Sequence, residues 1–259
     1  MIFHLSRRIT CGLAAFCMAV APEISRAQES HAPHWSYEGK ENPTHWGSLD
    51  PAFGACKMGH HQSPINISHP KLADLPELKF DYKAVPLSII DNGHTIMINY
   101  APGSILTIGN KTYALQQFHF HHPSEEHISG KGFDMVGHLV HTDTDGHVAV
   151  VAILFKVGAP NPLLETLWKN IPSEKNKTVE IPGVSVNVGE LVPSQHGYYT
   201  YSGSLTTPPC TEGVTWYILK SASSLSEGQL ATITKLYPHD NRPTQKLNDR
   251  EVLESKIAL

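Results

Sequence analysis

Segments in which apolar and polar residues alternate run through most of this chain, and they constrain its fold more than any other feature. They cover residues 95–100, 104–108, 112–121, 135–142, 148–157 and 214–219. Alternation with a period of two, rich in β-branched and aromatic residues, predicts β-strands. The glycines at the intervening turns are Gly93, Gly103, Gly130 and Gly146. Because these connections are too short for crossover helices, we expect the strands to pair mostly antiparallel.

Helical signals are few. Residues 162–171 carry apolar positions at helical spacing, and residues 224–237 begin with Ser224 and Glu227 at the spacing of a capping box. The 259 residues contain no internal repeat and no clear linker. We therefore predict a mainly β fold with a few short helices, a single domain built on a large, twisted, mostly antiparallel β-sheet.

The first 27 residues resemble a signal peptide. Arg7 and Arg8 precede an apolar run over residues 9–21, and residues 25–27 form a small-x-small cleavage site. The run is shorter than the ~20 residues that a membrane-spanning helix needs, and a retained anchor is the alternative. We expect a signal peptide over residues 1–27, a folded domain over residues 28–259, a periplasmic or secreted location, and no membrane contact after cleavage.

Charge and cysteine content narrow the partners and the compartment. The formal net charge is -4, so the chain offers no basic surface for nucleic acid. Cleavage after residue 27 leaves two of the four cysteines, Cys56 and Cys210. A single pair in an exported protein predicts one disulfide, with two separate buried thiols as the alternative.

Three histidines have the arrangement of a metal site. His119 and His121 are two apart on one predicted strand, so they point to the same face, whereas Phe118 and Phe120 point to the other. The next strand returns antiparallel and brings His138 opposite this pair. Three imidazoles with an open fourth position are typical of catalytic zinc, which provides hydroxide at neutral pH.

Neighbouring residues leave alternatives open. His122, His127 and His141 are further candidate ligands, although His141 has the opposite strand parity to His138 and should face away. A His-x-His pair followed by Glu125 also resembles the first metal motif of cupins, in which Glu125 would bind iron or manganese. The second cupin motif is not found after His138.

Several motifs in order resemble alpha-class carbonic anhydrases of the secreted bacterial type, from about Trp35 to the C-terminus. They are QSPINI (62–67), NGH (92–94), QFHFH (117–121), GHLVH (137–141), SLTTPPCTEGVTW (204–216) and NRPTQKLN (241–248). The resemblance implies one Zn2+ per chain on His119, His121 and His138, and reversible hydration of carbon dioxide to bicarbonate and a proton. It also implies the Cys56–Cys210 disulfide and leaves a homodimer open.

The resemblance assigns roles to further residues. Thr206 would accept a hydrogen bond from zinc-bound hydroxide and donate its own proton to Glu125, while His94 would carry protons to buffer. Gln117 would orient a zinc ligand, and Tyr37 would hold ordered water. The residues implied to contact the substrate are Val140, Val150, Leu205, Thr207 and Trp216.

Three positions depart from the family pattern. Val136 stands where relatives usually carry a Glu that orients the third zinc ligand, so His138 must use another partner or none. We therefore expect faster zinc loss than in typical relatives, and slower loss after Val136→Glu. Glu126 follows Glu125 where His or Asn is common, and Met97 replaces an amide that binds active-site water. Two other functions remain: a binding module that has lost catalysis, and a histidine-rich zinc store.

Overall fold

The structure is a computed structural model that describes residue 1 and residues 33–256. The predicted signal peptide therefore lies outside the described residues, apart from Met1. Residues 33–256 belong to one compact unit, as predicted for a single domain. In this part of the chain, no helix is long and apolar enough to cross a membrane.

The described residues form fifteen strands and four short α-helices. The helices are α1 (Trp46–Leu49), α2 (Ala55–Met58), α3 (Pro162–Lys169) and α4 (Glu227–Leu236). The strands are β1 (Asn66–Ile67), β2 (Lys71–Ala73), β3 (Leu78–Asp81), β4 (Val85–Asp91), β5 (Ile96–Asn99), β6 (Ile105–Ile108), β7 (Lys111–His121), β8 (His127–Ile128), β9 (Met135–Thr142), β10 (Val148–Val157), β11 (Val179–Val186), β12 (Tyr198–Ser204), β13 (Glu212–Leu219), β14 (Ser223–Leu225) and β15 (Leu253–Ser255). All six predicted strands are present, two of them with the predicted bounds.

One large sheet organises the molecule. Its strands follow the order β11-β4-β5-β7-β9-β10-β13-β12-β15-β2, with β3, β6 and β14 attached beside this path. Most strands that are neighbours in this order pair antiparallel, as predicted. The exceptions in this sheet are β10, which pairs parallel with β13 and β14, and β15, which pairs parallel with β2. Parallel pairing needs a long connection, and the chain between β10 and β13 supplies it with α3, β11 and β12.

The prediction for the start of α4 was wrong by two residues. Ser226 rather than Ser224 is the N-cap, and it forms a capping box with Gln229 rather than Glu227. Ser224 lies inside β14, where it pairs with Lys156 of β10. Strand pairing therefore holds Ser224 in extended backbone, and the helix begins only after the strand has ended.

The central strands are buried on both faces. Along β10, Val151 and Ile153 pack into the larger apolar cluster, while Val150, Ala152 and Leu154 pack into a smaller one. Strand alternation explains this division, because successive side chains point to opposite faces. The smaller cluster lies on the face that carries the predicted metal site.

Candidate metal centre

Strand pairing brings the three predicted histidines together. His119 of β7 lies directly opposite His138 of β9, and His121 lies opposite Val136. One nitrogen from each ring lies within 4.8 Å of the other two. Phe118 and Phe120 pack into the larger core on the opposite face, as predicted. The convergence follows from the two-residue period of β7 and the register of the β7–β9 ladder.

The outer nitrogens of two rings are engaged by neighbouring acceptors. Nδ1 of His119 lies 2.8 Å from Oε1 of Gln117, and Nδ1 of His121 lies 2.6 Å from the backbone oxygen of Asp240. Because a carbonyl oxygen only accepts, each Nδ1 carries the ring proton and each Nε2 keeps a free lone pair. The Gln117 contact agrees with the orienting role implied by the resemblance.

His138 is held by an acidic residue outside its own strand. Its Nε2 lies 3.0 Å from Oε1 of Glu126, and both side chains are buried. A carboxylate accepts the Nε2 proton, which leaves the lone pair on Nδ1. Because Val136 has no polar side chain, the sequence left the partner of His138 open, and the structure identifies it as Glu126.

The three free nitrogens fit a divalent cation such as zinc. Nε2 of His121 is buried and has no hydrogen-bond partner among the described residues, and three imidazoles are a preferred donor set for catalytic zinc. Burial lowers the pKa of His119 well below its ordinary value, and His121 and His138 lower it further. His119 is therefore neutral and can donate its lone pair.

Negative charge surrounds the centre. Burial is the largest single effect and lowers the pKa of His121, but Glu125, Asp240 with its backbone oxygen, and Glu126 together leave that pKa raised. Oε2 of Glu125 lies 3.8 Å from Nε2 of His121 and 3.9 Å from Nδ1 of His138. Groups that stabilise a proton on His121 also stabilise a metal cation at the same place.

Glu125 is positioned by the backbone of a distant segment. Its Oε1 accepts a hydrogen bond of 2.7 Å from the backbone N–H of Arg242, while its buried Oε2 has no hydrogen-bond partner among the described residues. The predicted bond from Thr206 to Glu125 is not among the hydrogen bonds found in residues 33–256. Oε2 is the free acceptor that such a bond would use.

An apolar pocket adjoins the histidines. It has a volume of about 210 Å3, and Gln117, His119, His138 and Thr206 form part of its wall. All five residues predicted to contact the substrate complete this wall: Val140, Val150, Leu205, Thr207 and Trp216. The pocket therefore combines the metal-binding face with an apolar surface.

A second pocket of about 180 Å3 is lined by His119 and His121 together with His94. The His94 ring stacks on Trp35 with centroids 3.7 Å apart and planes 8° from parallel. Burial lowers the pKa of His94 from its ordinary value, and His34 and Lys175 lower it further. Tyr37 and Met97 line the same pocket, and the buried Tyr37 hydroxyl has no partner among the described residues.

A family model described as eukaryotic-type carbonic anhydrase matches residues 41–256. The chain belongs to the alpha-class carbonic anhydrase family. A carbonic anhydrase from Pectobacterium carotovorum is 42% identical over 228 residues, which cover 88% of this chain and 93% of the relative.

Solved carbonic anhydrase structures share the fold. A hyperthermostable carbonic anhydrase from an active hydrothermal vent chimney has a TM-score of 0.83 and 43% identity, covering 86% of this chain and 100% of that chain. The alpha-carbonic anhydrase of Thermovibrio ammonificans, in complex with the inhibitor sulfanilamide, has a TM-score of 0.82 and 38% identity, covering 87% and 100%. The chain is thus an enzyme of the carbonic anhydrase family, which excludes the cupin alternative.

The remaining histidine candidates, His122, His127 and His141, are not part of the cluster formed by His119, His121 and His138. His141 faces the larger core, where its Nε2 lies 2.8 Å from the Tyr82 hydroxyl, and burial lowers its pKa to about 4. Nδ1 of His122 lies 2.6 Å from the backbone oxygen of Asp134. The parity argument against His141 is confirmed.

Sequence reasoning missed three contributors to this carbonic anhydrase site. Trp35 stacks on His94, Asp240 holds His121 through its backbone oxygen, and Glu126 holds His138. Asp240 immediately precedes the motif at 241–248, and Trp35 marks the start of the family resemblance. Their positions next to family motifs could have indicated that Asp240 and Trp35 lie near the site. Position alone, however, does not indicate which histidine ring each residue contacts.

Arg242 and the disulfide connect the motifs around the site. Cys56 and Cys210 form the predicted disulfide, with Cα atoms 5.0 Å apart. Nη1 of the buried Arg242 donates to Oε1 of Gln62 at 2.9 Å, and its Nη2 donates to the backbone oxygen of Cys56 at 3.0 Å. Arg242 therefore connects the segments at 62–67 and 241–248, and its backbone N–H also donates to Glu125.

Proposed function

We propose that this chain catalyses the zinc-dependent, reversible hydration of carbon dioxide to bicarbonate and a proton, with one Zn2+ per chain. The observation that carries the proposal is a set of three imidazole rings beside an apolar pocket. One nitrogen of each ring contacts a hydrogen-bond acceptor, and the other nitrogen is free to bind a metal. His119, His121 and His138 would hold the ion. When bound, zinc supplies a hydroxide nucleophile at neutral pH by lowering the pKa of water.

Thr206 and Glu125 orient the nucleophile in this proposal. The unpartnered Oε2 of Glu125 supports it, because that oxygen is free to accept the Thr206 proton. A hydroxyl has only one proton, so Thr206 can then only accept from the nucleophile. This directs a lone pair of the nucleophile toward the carbon of carbon dioxide, and the new C–O bond yields bicarbonate.

The apolar pocket receives the substrate. Carbon dioxide has no strong hydrogen-bonding group, so it favours a surface from which water is excluded. Val140, Val150, Leu205 and Trp216 form such a surface beside the histidines, and Thr207 lines both pockets. Bicarbonate carries a charge and loses solvation against the same wall, which promotes its release.

His94 transfers the proton to buffer. Its lowered pKa keeps the ring neutral and ready to accept a proton at neutral pH. Tyr37 lines the pocket between His94 and the metal ligands, and its unpartnered hydroxyl is a group that ordered water satisfies. Thr206, Glu125 and His94 are thus the proposed catalytic residues, with Gln117 and Tyr37 in supporting roles.

Carbon dioxide hydration by the purified mature chain tests the proposal. Stopped-flow rates would be measured before zinc removal with a chelator, after removal, and after zinc is restored. We expect fast hydration that disappears and returns with the metal, at one zinc per chain. One bound zinc without hydration would instead indicate a binding module, and several zinc ions per chain would indicate a zinc store.

We also propose that residues 1–27 are a cleaved signal peptide and that residues 28–259 function in the periplasm or outside the cell. The Cys56–Cys210 disulfide supports this location, because disulfides persist in oxidising compartments. The mass of the exported protein should correspond to a chain that begins at Gln28. A full-length mass in the membrane fraction would favour a retained anchor. Sedimentation of the same sample would test for the homodimer.

A further inference from the structure

Glu126 is a buried acidic residue that has no role in the mechanism proposed above. Its side chain is 0% exposed, and its only ion-pair partner among the described residues is His138. The 3.0 Å contact joins Oε1 of Glu126 to Nε2 of His138, whereas Nδ1 of the same ring lies 3.9 Å from Oε2 of Glu125. We propose that Glu126 is the positioning residue of His138, and this inference depends on the proposed zinc-dependent function.

The strand that carries His138 offers no such partner. Val136 lies two residues before His138, so both side chains point to the same face of β9. Val136 is fully buried and packs into the smaller apolar cluster, which includes Ile67 and Leu154. The group that holds the ring must therefore come from another segment, and the loop between β7 and β8 supplies it.

The backbone on both sides holds Glu126 in place. The Ser124 hydroxyl donates to the backbone oxygen of Glu126 at 2.9 Å and accepts from the backbone N–H of Phe133 at 2.8 Å. His127, the next residue, pairs with Asn66 in the β1–β8 ladder. The carboxylate therefore reaches His138 from a fixed backbone, which favours a role in orienting the ring over an incidental contact.

The charge of Glu126 also points to a cation at the centre. A buried carboxylate is costly unless opposite charge lies close to it, and no Lys or Arg in residues 33–256 forms an ion pair with Glu126. A metal on Nδ1 of His138 would supply that charge through the ring. The same contact fixes the tautomer that leaves Nδ1 free.

This role changes the expectation for Val136. Nε2 of His138 has one proton, and Glu126 already accepts it. A Glu at position 136 would therefore find no free donor on the ring and would add a second buried negative charge nearby. We expect Val136→Glu alone to lose zinc no more slowly than wild type. The same substitution combined with Glu126→Leu should recover part of the loss, because the donor is then free.

The decisive experiment compares two substitutions of similar size in the zinc-loaded mature chain. Glu126→Leu removes the acceptor, whereas Glu126→Gln keeps an amide oxygen that can still accept. Zinc loss to a chelator should be about 10- to 100-fold faster in Glu126→Leu than in wild type, with Glu126→Gln between them. In proton NMR, the exchange-protected Nε2–H signal of His138 should be present in wild type and lost in Glu126→Leu.

The outcomes separate this inference from the proposed function. Unchanged zinc loss or an unchanged Nε2–H signal in Glu126→Leu would overturn the role of Glu126 while leaving the zinc enzyme intact. Markedly slower zinc loss in Val136→Glu alone would also overturn it, because His138 would then have had a free donor. A wild-type chain that binds no zinc would overturn the proposed function itself, and the role of Glu126 with it.

Discussion

At the scale of single residues, the metal centre depends on which nitrogen of each ring carries a proton. Three acceptors of different kinds determine this: an amide oxygen of Gln117, a backbone oxygen of Asp240 and a carboxylate oxygen of Glu126. Each one leaves the opposite nitrogen free. The two adjacent carboxylates consequently have separate partners, since Oε1 of Glu125 accepts from the backbone N–H of Arg242 and Oε1 of Glu126 accepts from Nε2 of His138.

Loss of the Thr206 hydroxyl should separate catalysis from metal binding. Thr206→Ala removes the hydroxyl that we propose orients the nucleophile, so we expect kcat/KM for hydration to fall about 10²- to 10³-fold with unchanged zinc content. Thr206→Ser retains the hydroxyl and is the matched control. Glu125→Gln should give a comparable fall: the amide oxygen would accept from the backbone N–H of Arg242, and the NH2 group left facing Thr206 can only donate. Zinc lost together with activity in Thr206→Ala would contradict this assignment.

The stack of Trp35 on His94 should set the affinity of His94 for protons. Burial is the largest cause of the lowered pKa of His94, and Trp35 covers one face of the ring. Trp35→Ala should therefore raise the pKa toward its ordinary value, since solvent favours the charged imidazolium. An NMR titration of the His94 ring measures this, with Trp35→Phe as the control. An unchanged pKa in Trp35→Ala would show that the stack is not the cause.

At the scale of elements, close packing between β12 and its neighbours supports Trp216, which lines the apolar pocket. Gly203 of β12 has no room for a side chain: an added Cβ would collide with Oγ of Ser63 and lie 2.9 Å from Cδ1 of Trp216. Ser63 Oγ also accepts from the backbone N–H of Ser204 at 3.1 Å. Position 203 of β12 therefore requires glycine.

Gly203→Ala should lower the free energy of unfolding by about 1–3 kcal/mol, the usual cost of overpacking a core. Urea unfolding of the zinc-free chain measures this without the contribution of the metal. Gly158→Ala is the matched control, because a Cβ there would meet Ser224 at an ordinary 3.5 Å. Equal stability of the two variants would contradict the packing argument.

At the scale of the whole molecule, the disulfide and Arg242 hold together segments that are far apart in the chain. Cys56 and Cys210 are separated by 154 residues. Arg242 donates to Ser63 and Cys56 from the C-terminal side, and its backbone N–H positions Glu125. The segment around Cys210, the segment around Cys56 and Ser63, and the C-terminal segment around Arg242 are therefore stabilised as a unit.

Removal of the disulfide should lower the free energy of unfolding, because the unfolded chain then gains conformational freedom. A cross-link that closes so long a loop contributes about 4–5 kcal/mol in the chain-entropy model. We expect Cys56→Ser with Cys210→Ser to lower the free energy of unfolding by this order, measured by urea titration against the oxidised wild type. Reduced wild type lacks the cross-link but keeps both cysteines, so it is the control for any effect of the serine side chains. A change below about 1 kcal/mol in both samples would argue that the unfolded chain gains little freedom.

Much of the site could be predicted from sequence because its main relations are local. The strand period placed His119 and His121 on one face and Phe118 and Phe120 on the other, and parity excluded His141. The family motifs indicated the pocket wall in full. The start of α4 was misplaced because pairing of Ser224 with β10 overrode a local capping signal.

Sequence alone thus determined the alternation of the strands, the shared face of the histidine pair and the identity of the family, since each depends on residues close together in the chain or on recognisable motifs. Only the tertiary structure decided the parallel β10–β13 ladder and the choice of Glu126 as the partner of His138. The physical reason is that hydrogen bonds between a loop and a strand depend on strand register and on the path of the loop. Neither of these is encoded in the spacing of the residues themselves.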